Sequence, residues 1–375
     1  MIFYYIIGSY VIMNLVLSIT WMKAQDSTLW GIDDIKKKGD LPKFTIIVPV
    51  RNEAKNILEL LESLEKQTYP KLYFEVIIAN DSSNDNTVEI IGNFKKNNCI
   101  NLVINTLNEK IGNTSPKKRA ISESIILAKN EIIITTDGDC IVPTDWLLAY
   151  ANLYQSKPTN FAFGLVTFKE KTKSIFEHFQ VLEFASLQGV AAASLMLKSP
   201  NMCSGANMSY RKSAFEAVNG YEGNEEIASG DDEFLMHKMV KVFPNDVHFL
   251  KQKASIVSTN AHQSLKQFTS QRRRWASKWK SYENKWISVL AIYIFVCNLS
   301  VYLIPLFFNL QVALTLIILK FIAEGIFIGL IIRYLGKQKS LVYLQILQII
   351  YPFYVTFFGL IVQKKGYIWK ERQLK

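Results

Sequence analysis

Apolar positions are unevenly spread along the chain. Residues 1–22 are almost free of charge and rich in Ile, Tyr and Val, long enough to cross a bilayer of about 30 Å as a helix. No basic segment precedes the run and no small-residue cleavage site follows it, while Trp21 and Lys23 suit an interface belt and an inside flank. It therefore reads as a retained anchor rather than a signal peptide. Residues 23–42, with Lys36-Lys37-Lys38 and Gly39-Asp40, are polar and breaker-rich and read as a linker. From residue 43 the pattern changes. Phe44-Thr45-Ile46-Ile47-Val48-Pro49-Val50, Phe74-Glu75-Val76-Ile77-Ile78-Ala79, Leu102-Val103-Ile104 and Ile132-Ile133-Ile134-Thr135 are short apolar runs that predict buried strands. Between them Ile57, Leu60, Leu61 and Leu64 recur at helical spacing, and residues 88–94 and 120–129 predict two further helices. Strand alternating with helix predicts an α/β domain with a mostly parallel sheet and right-handed crossovers.

Farther on, residues 172–198 carry Ile175, Phe179, Leu182 and Leu187 and then Ala191-Ala192-Ala193. This predicts an amphipathic helix, either packed in the core or, as the nearby anchors favour, lying on the membrane surface. Trp275, Trp279, Tyr282 and Trp286 fall at i, i+4, i+7 and i+11, an aromatic helix face suited to the membrane interface. Residues 287–375 are again apolar, with candidate spans at 287–310, 311–332 and 341–362. Lys320 and Glu324, four apart in the second span, are costly in lipid unless paired or turned toward protein. Three full crossings would carry the basic tail (Lys364, Lys365, Lys370, Arg372 and Lys375) to the side opposite the central domain, against the positive-inside rule. One segment is therefore expected to be re-entrant or interfacial, and Pro352 marks the last one. The expected organisation is an anchor (1–22), a linker (23–42), a cytosolic α/β domain with interfacial helices (43–286), and C-terminal membrane segments with a basic tail (287–375).

Composition agrees with that division. Hydrophobic residues make up 49% of the 375-residue chain, more than a soluble protein of this size carries, and the excess lies at the two ends. The net charge of +11 would suit nucleic acid, but the basic residues cluster beside the apolar ends and at Arg272-Arg273-Arg274. An anionic membrane face accounts for them, and no nucleic acid partner is expected. Cys99, Cys140, Cys203 and Cys297 show neither paired nor zinc-ligand spacing, as in a reducing compartment.

The candidate chemistry sits where strands end. The fourth predicted strand runs straight into Asp137-Gly138-Asp139. Two carboxylates at a strand's carboxyl end lie on the ligand-binding edge of an open α/β sheet, and they repel unless a cation or a ligand's donors hold them. Mg²⁺ or Mn²⁺ fits, taking one or two carboxylates and completing its shell with substrate phosphates. A lone Asp-x-Asp is more often a turn, but Arg51-Asn52-Glu53 and Asn80-Asp81-Ser82-Ser83-Asn84-Asp85 end the first two strands the same way. A second acidic cluster, Ser229-Gly230-Asp231-Asp232-Glu233, opens a helix, where an aspartate can also serve simply as a cap.

These motifs, together with Gln271-Arg272-Arg273-Arg274-Trp275, occur in an order and at separations that resemble the inverting family 2 glycosyltransferases. More narrowly they resemble the membrane-embedded branch that includes cellulose, chitin and hyaluronan synthases and ceramide glucosyltransferase. The resemblance implies a GT-A type nucleotide-sugar-binding domain. Carried over by position, Arg51, Glu53 and Asp81 would hold the uracil and ribose end of the donor. Lys117, with Lys118 as its competitor, would reach the diphosphate. Asp137 would touch the nucleotide, and Asp139, helped by Asp137, would bind the metal. Asp232 would be the general base that takes the acceptor hydroxyl's proton. Asn207, in Cys203-Ser204-Gly205-Ala206-Asn207-Met208, would lie beneath the acceptor. Gln271, Arg274 and Trp275 would complete the acceptor and diphosphate side. Departures from the family pattern are Asn80, where a second Asp often stands, and Ser277-Lys278, where a glycine often follows the tryptophan. The ending Trp369-Lys370-Glu371-Arg372 resembles a basic tail that stays on the catalytic side in relatives.

The resulting expectation is an integral protein of the cell (inner) membrane with a cytosolic catalytic domain. It would move a sugar, by single displacement, from a UDP-linked nucleotide-sugar to a membrane-associated lipid or glycan, with single transfer to a lipid favoured over processive polysaccharide synthesis. A non-catalytic scaffold with a degenerate transferase fold is the remote alternative, and the fully occupied acidic positions speak against it.

Overall fold

The computed structural model describes residues 1–107, 115–170, 174–227, 229–276, 285–361, 367–369 and 372–374. Strands form where β-branched runs can be buried on both faces. Strands β1 (Phe44–Val50), β2 (Phe74–Asp81), β3 (Asn101–Leu107) and β4 (Ile132–Thr135) pair in parallel in the order β3-β2-β1-β4. Helices α3 (Ile57–Glu65), α4 (Thr87–Asn97) and α5 (Pro116–Leu127) make the crossovers between them, and Ile57, Leu60, Leu61 and Leu64 are all fully buried beneath the sheet. After α6 (Trp146–Ser156), β5 (Phe161–Gly164) and β6 (Val166–Lys169), the sheet changes character. Strand β7 (Met208–Arg211), followed by the short helix α8 (Lys212–Ala217), runs antiparallel between β4 and β5, and β8 (Val247–Leu250) closes the edge parallel to β5. Strand β9 (Val257–Asn260) pairs with β6 in a separate ribbon. The result is a seven-stranded, mostly parallel sheet flanked by helices. Its opposite end carries a structural acid. Glu75 is buried at the start of β2 and accepts from the Thr45 hydroxyl at 2.7 Å and the Lys129 N–H at 2.8 Å, so it is satisfied away from the strands' carboxyl ends.

Five helices among the described residues are long and apolar enough to cross a membrane by length and composition: α1 (Ile2–Lys23), α7 (Ile175–Met196), α11 (Lys285–Phe307), α12 (Leu310–Tyr334) and the stretch Gln338–Leu360, which holds most of α13 (Leu344–Ile361). Burial separates them. In α7 67% of the most apolar window is buried, against 17–44% in the others. The expected surface helix is thus an interior one, and the reason lies on both its sides. Val181, Leu182, Ala185, Ala192 and Ala193 join the main core, while the small residues let α1 and α12 approach closely. Its two apolar faces, read as an amphipathic stripe plus a small-residue patch, are two packing surfaces.

The linker is also more ordered than its composition suggests. It folds into α2 (Ile32–Lys38), whose Ile35 is fully buried, and Trp30 N–H donates to Asn152 on α6 at 2.8 Å. Lys320 is buried between helices, with Nζ paired to Glu324 at 2.5 Å and 3.3 Å from Asn298 Oδ1 on α11, and Tyr10 OH donates to Glu324 at 2.6 Å. The pair is satisfied by protein, an arrangement in which an apolar helix tolerates it. The aromatic face expected to join residue 275 to residue 286 includes Trp279 and Tyr282, and these, with Ser277-Lys278, lie outside the described residues. So do Lys364, Lys365, Lys370, Glu371 and Lys375. The backbone of Tyr367–Trp369 pairs with Arg372–Leu374 and lies against α10 (Leu265–Ala276).

Candidate active site

Two loops at the carboxyl ends of β1 and β2 are stitched together. Asn52 and Ser82 both take left-handed backbone conformations, φ 53°, a strained choice for residues with a Cβ that the surrounding bonds must hold. Asn52 N–H donates to Ser83 Oγ at 3.1 Å, Asn84 N–H to Asn52 Oδ1 at 3.0 Å, and Glu53 N–H to Thr87 Oγ1 at 2.8 Å. Asp85 accepts from Ala54 N–H at 3.1 Å. Its partial burial works against its charge, yet the Thr87 hydroxyl and the backbone N–H groups of Ala54 and Thr87 hold its carboxyl below the ordinary range. Arg51 is buried, and its Nη1 donates to the carbonyls of Asp81 at 2.7 Å and Ser82 at 3.0 Å. The guanidinium therefore braces the loop that presents Asp81.

The acidic turn after β4 is pressed against this pair of loops. A Cβ on Gly138 would come within 3.0 Å of Glu53 Cγ and of Val50 Cγ1, so only glycine lets Asp137 and Asp139 straddle that point. Both aspartates are half-buried, as ligand-facing carboxylates must be. Among the described residues, no group of three or more His, Cys, Asp or Glu side chains could hold a metal ion by itself. A pair of carboxylates at one turn matches instead the chemistry of Mg²⁺ or Mn²⁺, which the protein holds by one or two oxygens while phosphates supply others.

Helix α5 decides which basic side chains enter. Lys117 Nζ lies 2.8 Å from Asp137 Oδ1 and 3.0 Å from Asp231 Oδ2, bridging the turn after β4 to the loop before α9 (Glu233–Val242). Burial opposes its charge, but Asp137, Asp231 and Asp232 together outweigh that and push the ammonium well above its usual range. It stays charged at any working pH. Lys118, one residue and about 100° further round the helix, is buried elsewhere and donates to the Asn224 carbonyl at 2.6 Å. Arg119 turns a third way and pairs with Asp81 at 3.1 Å. This rotation brings Lys117, and not Lys118, to the acidic residues. Arg119 is the residue the sequence reading missed, although it stands in the same Pro116-Lys117-Lys118-Arg119 run.

Asp232 occupies the N-cap of α9. Its Oδ1 accepts from Glu233 N–H at 2.8 Å and its Oδ2 from Gly205 N–H at 3.0 Å. Capping and site position coincide in this one residue, so the structural and the chemical alternatives were not exclusive. Gly205 is the second glycine whose lack of a side chain matters. A Cβ there would meet Asp231 Oδ2 at 3.0 Å and Lys117 Nζ at 3.4 Å. Arg274 reaches the same loop from α10, its Nη1 3.2 Å from Ser229 Oγ. Gln271 faces its neighbour Arg272 and the ring of His262, and Trp275 packs on Phe184 at 6.0 Å between centroids.

Asn207 is a correction. It is fully buried, its Oδ1 accepting from Trp146 Nε1 and Tyr150 OH, both at 2.9 Å, and its Nδ2 donating to the carbonyls of Leu165 and Ser255, both at 2.8 Å. Four protein partners consume the amide, leaving it no bond to offer an acceptor sugar. Asn207→Ala is expected to lower stability by about 3 kcal/mol or more, since it strands several buried polar groups, while the KM for acceptor in the folded fraction stays unchanged. Thermal unfolding alongside kinetics checks this. A raised KM with an unchanged melting point would return Asn207 to the acceptor site.

The predicted Asp81, Lys117, Asp137, Glu53, Asp232 and Arg274 thus gather at one edge of the sheet, with Arg119 and Asp231 beside them, whereas the predicted Gln271 and Trp275 face Arg272, His262 and Phe184 instead. A sheet of this topology with acids gathered at the parallel strands' carboxyl ends defines a glycosyltransferase of the GT-A fold. The chain belongs to the family described as Glycosyl transferase family group 2, whose model matches residues 132–361, and the Glycosyl transferase family 2 model matches residues 45–218. Poly(ribitol-phosphate) beta-N-acetylglucosaminyltransferase TarS of Staphylococcus aureus is 37% identical over 98 residues, 26% of this chain and 16% of TarS. Poly-beta-1,6-N-acetyl-D-glucosamine synthase of Staphylococcus epidermidis is 32% identical over 174 residues, 45% of this chain and 39% of the synthase. The match therefore spans less than half the length of either relative. The solved structure of the mannosyltransferase PcManGT from Pyrobaculum calidifontis, in complex with GDP-Man and Mn²⁺, shares the fold with a TM-score of 0.56 at 16% identity, over 92% of this chain and 96% of that one.

Proposed function

We propose that this glycosyltransferase moves one sugar from a UDP-linked nucleotide-sugar to a membrane lipid, with inversion at the anomeric carbon. The observation that carries the reading is the Lys117 bridge. One cation joins Asp137, on the donor edge, to Asp231, beside Asp232. Donor acids and candidate base therefore face one cleft, as a single displacement requires. Asp81 and Glu53 take the nucleoside's N–H and hydroxyl donors, with Arg51 and Arg119 holding the loop that carries Asp81. Lys117 and Arg274 serve the diphosphate, a task suited to a point charge and a planar fork. Asp232 accepts the proton of the attacking hydroxyl, and its two backbone N–H bonds keep the carboxylate aimed. Asp139 and Asp137 would hold Mg²⁺ or Mn²⁺, which neutralises the charge of the departing nucleoside diphosphate. The names of both curated relatives specify β-linked products, the anomer that inversion of an α-linked donor leaves.

The membrane side supports a lipid acceptor. Helices α1, α11, α12 and α13 turn exposed Ile12, Ile19, Ile292, Ile318 and Phe353 outward, as lipid-facing surfaces do. Asn298 and Lys320 are fully buried where these helices meet, which favours a packed helix junction at that point. The tail strand at Tyr367–Trp369 returns to α10. That supports three crossings, with α13 lying at the interface on the cytosolic, catalytic side of the cell membrane. A processive polysaccharide synthase is the second reading, favoured by the polymer-forming relative that matches 45% of the chain.

The test is incubation of the purified chain with Mn²⁺, a panel of nucleotide-sugars and total lipid extract, with mass spectrometry of the lipids. The expected result is a mass increment of one hexose or hexosamine on a lipid, lost with chelator. Lengthening glycan would instead establish the polymer reading, and nucleotide release without a lipid product would reject a lipid acceptor.

A further inference from the structure

Helix α10 carries Gln271, Arg274 and Trp275, yet its best-anchored residue is Arg272, to which the site chemistry assigns no task. The Arg272 side chain is 4% exposed and that of Glu183, on α7, is 2% exposed. Arg272 Nε donates to Glu183 Oε1 at 2.9 Å and Nη2 donates to Oε2, a two-pronged pair. Tyr354, from the apolar helix α13, donates its hydroxyl to the same Oε1 at 2.9 Å. The guanidinium is sandwiched between the rings of Phe268, at 4.5 Å, and Trp275, at 4.2 Å. Phe179, Phe268 and Tyr354 surround it with centroids 5.9–6.0 Å apart. Three elements therefore meet at one carboxylate: the interior helix α7, the site helix α10 and the apolar helix α13.

We infer that Glu183 is a positioning residue for transfer, which through Arg272 and Tyr354 fixes the rotation of α10 and thereby the placement of Arg274 and Trp275. This rests on the reading that α10 serves the transfer site. A buried ion pair adds little stability over apolar residues of the same volume, so its presence here needs another reason, and fixing one geometry is the best-attested one. Aromatic contacts alone leave a twelve-residue helix free to slide or roll among similar packings. A planar fork on a carboxylate does not, because both of its bonds must be made at once. Arg274 lies two residues on, about 200° round the helix from Arg272. With Arg272 held to the core, Arg274 points the opposite way, toward Ser229 and the Asp231-Asp232 loop. Trp275 is locked by covering the guanidinium itself. Helix α7 grips the approach to α10 as well, since Gln180 Nε2 donates to the His262 carbonyl and His262 N–H to Gln180 Oε1, each at 2.9 Å.

The experiment uses the full chain in lipid nanodiscs, with Mn²⁺, total lipid extract and whichever nucleotide-sugar gives the fastest nucleotide release in the parent protein. Three variants are compared for kcat, KM and thermal unfolding. Arg272→Lys keeps the charge and the aliphatic stem but loses the fork, and Tyr354→Phe removes only the hydroxyl. In the double variant Glu183→Met/Arg272→Met the pair becomes apolar at similar volume. The expected result is a kcat reduced about 10-fold or more in Arg272→Lys and in the double variant, and about 3-fold in Tyr354→Phe, with KM for the nucleotide-sugar little changed. The double variant should melt near the parent temperature. A double variant that folds and turns over at the parent rate would overturn the inference, because the pair would then be packing alone. Arg274→Lys separates the two layers. If it is impaired while the double variant is fully active, only the positioning role falls. If both are fully active, the assignment of α10 to the site falls and takes the positioning role with it.

Discussion

Asp232→Asn is expected to bind nucleotide-sugar as the parent does and to lose transfer by about 10³-fold, within the range that positioned acid–base groups contribute. The carboxylate touches two backbone donors and retains lone pairs for a third, whereas an amide offers one oxygen and a poor proton acceptor. The same substitution weakens a cap, because either Gly205 N–H or Glu233 N–H loses its acceptor. That loss is about 1 kcal/mol of stability, far too small to explain a thousandfold drop in rate per folded molecule. Nucleotide titration, unfolding and product mass spectrometry on one preparation separate the two effects. Retention of more than a tenth of the parent transfer rate would remove Asp232 as the base.

The second large effect is expected at Asp139. Asp139→Asn should lower the rate at saturating Mn²⁺ by about 10²-fold, and chelator should silence the parent, since a departing nucleoside diphosphate needs its charge neutralised. Asn keeps the volume of the side chain in the narrow turn where even a Cβ on Gly138 would crowd Glu53 and Val50, so a folding defect is not expected. The readout independent of turnover is Mn²⁺ affinity in the presence of UDP, which should weaken by roughly tenfold or more when one of the two carboxylate ligands is removed. A parent protein indifferent to chelator would end the metal assignment outright.

Individual residues show where sequence legibility stops. The parallel half of the sheet was readable because β1, β2 and β4 are local runs buried on both faces, with β3 a half-buried edge strand, and β1 spans the same residues as its apolar pattern. The acidic turns were readable because they follow those runs directly. The partners of Lys117, Lys118 and Arg119 were not, because adjacent positions on one helix face different groups once α5 is docked. Asn207 shows the converse error. Within its motif Gly205 donates its N–H to Asp232, but two residues later the chain is in the core and the amide is spent on Trp146, Tyr150 and two carbonyls. Motif membership carried no information about which way that side chain turns.

What the sequence by itself determined is the set of local facts: alternating strands and helices, carboxylates at strand ends, long apolar helices at both ends, and a family resemblance resting on five ordered motifs. Periodicity and turn chemistry are properties of neighbours along the chain, so they survive without a fold. The tertiary structure alone decided the long-range facts: the interior position of α7, the Lys117 bridge between residues 137 and 231, the pairing of Lys320 and Glu324 with Tyr10, and the three-helix meeting at Glu183. Each depends on side chains from separate elements arriving within hydrogen-bonding distance, and that arrival is set by how helices and sheet pack.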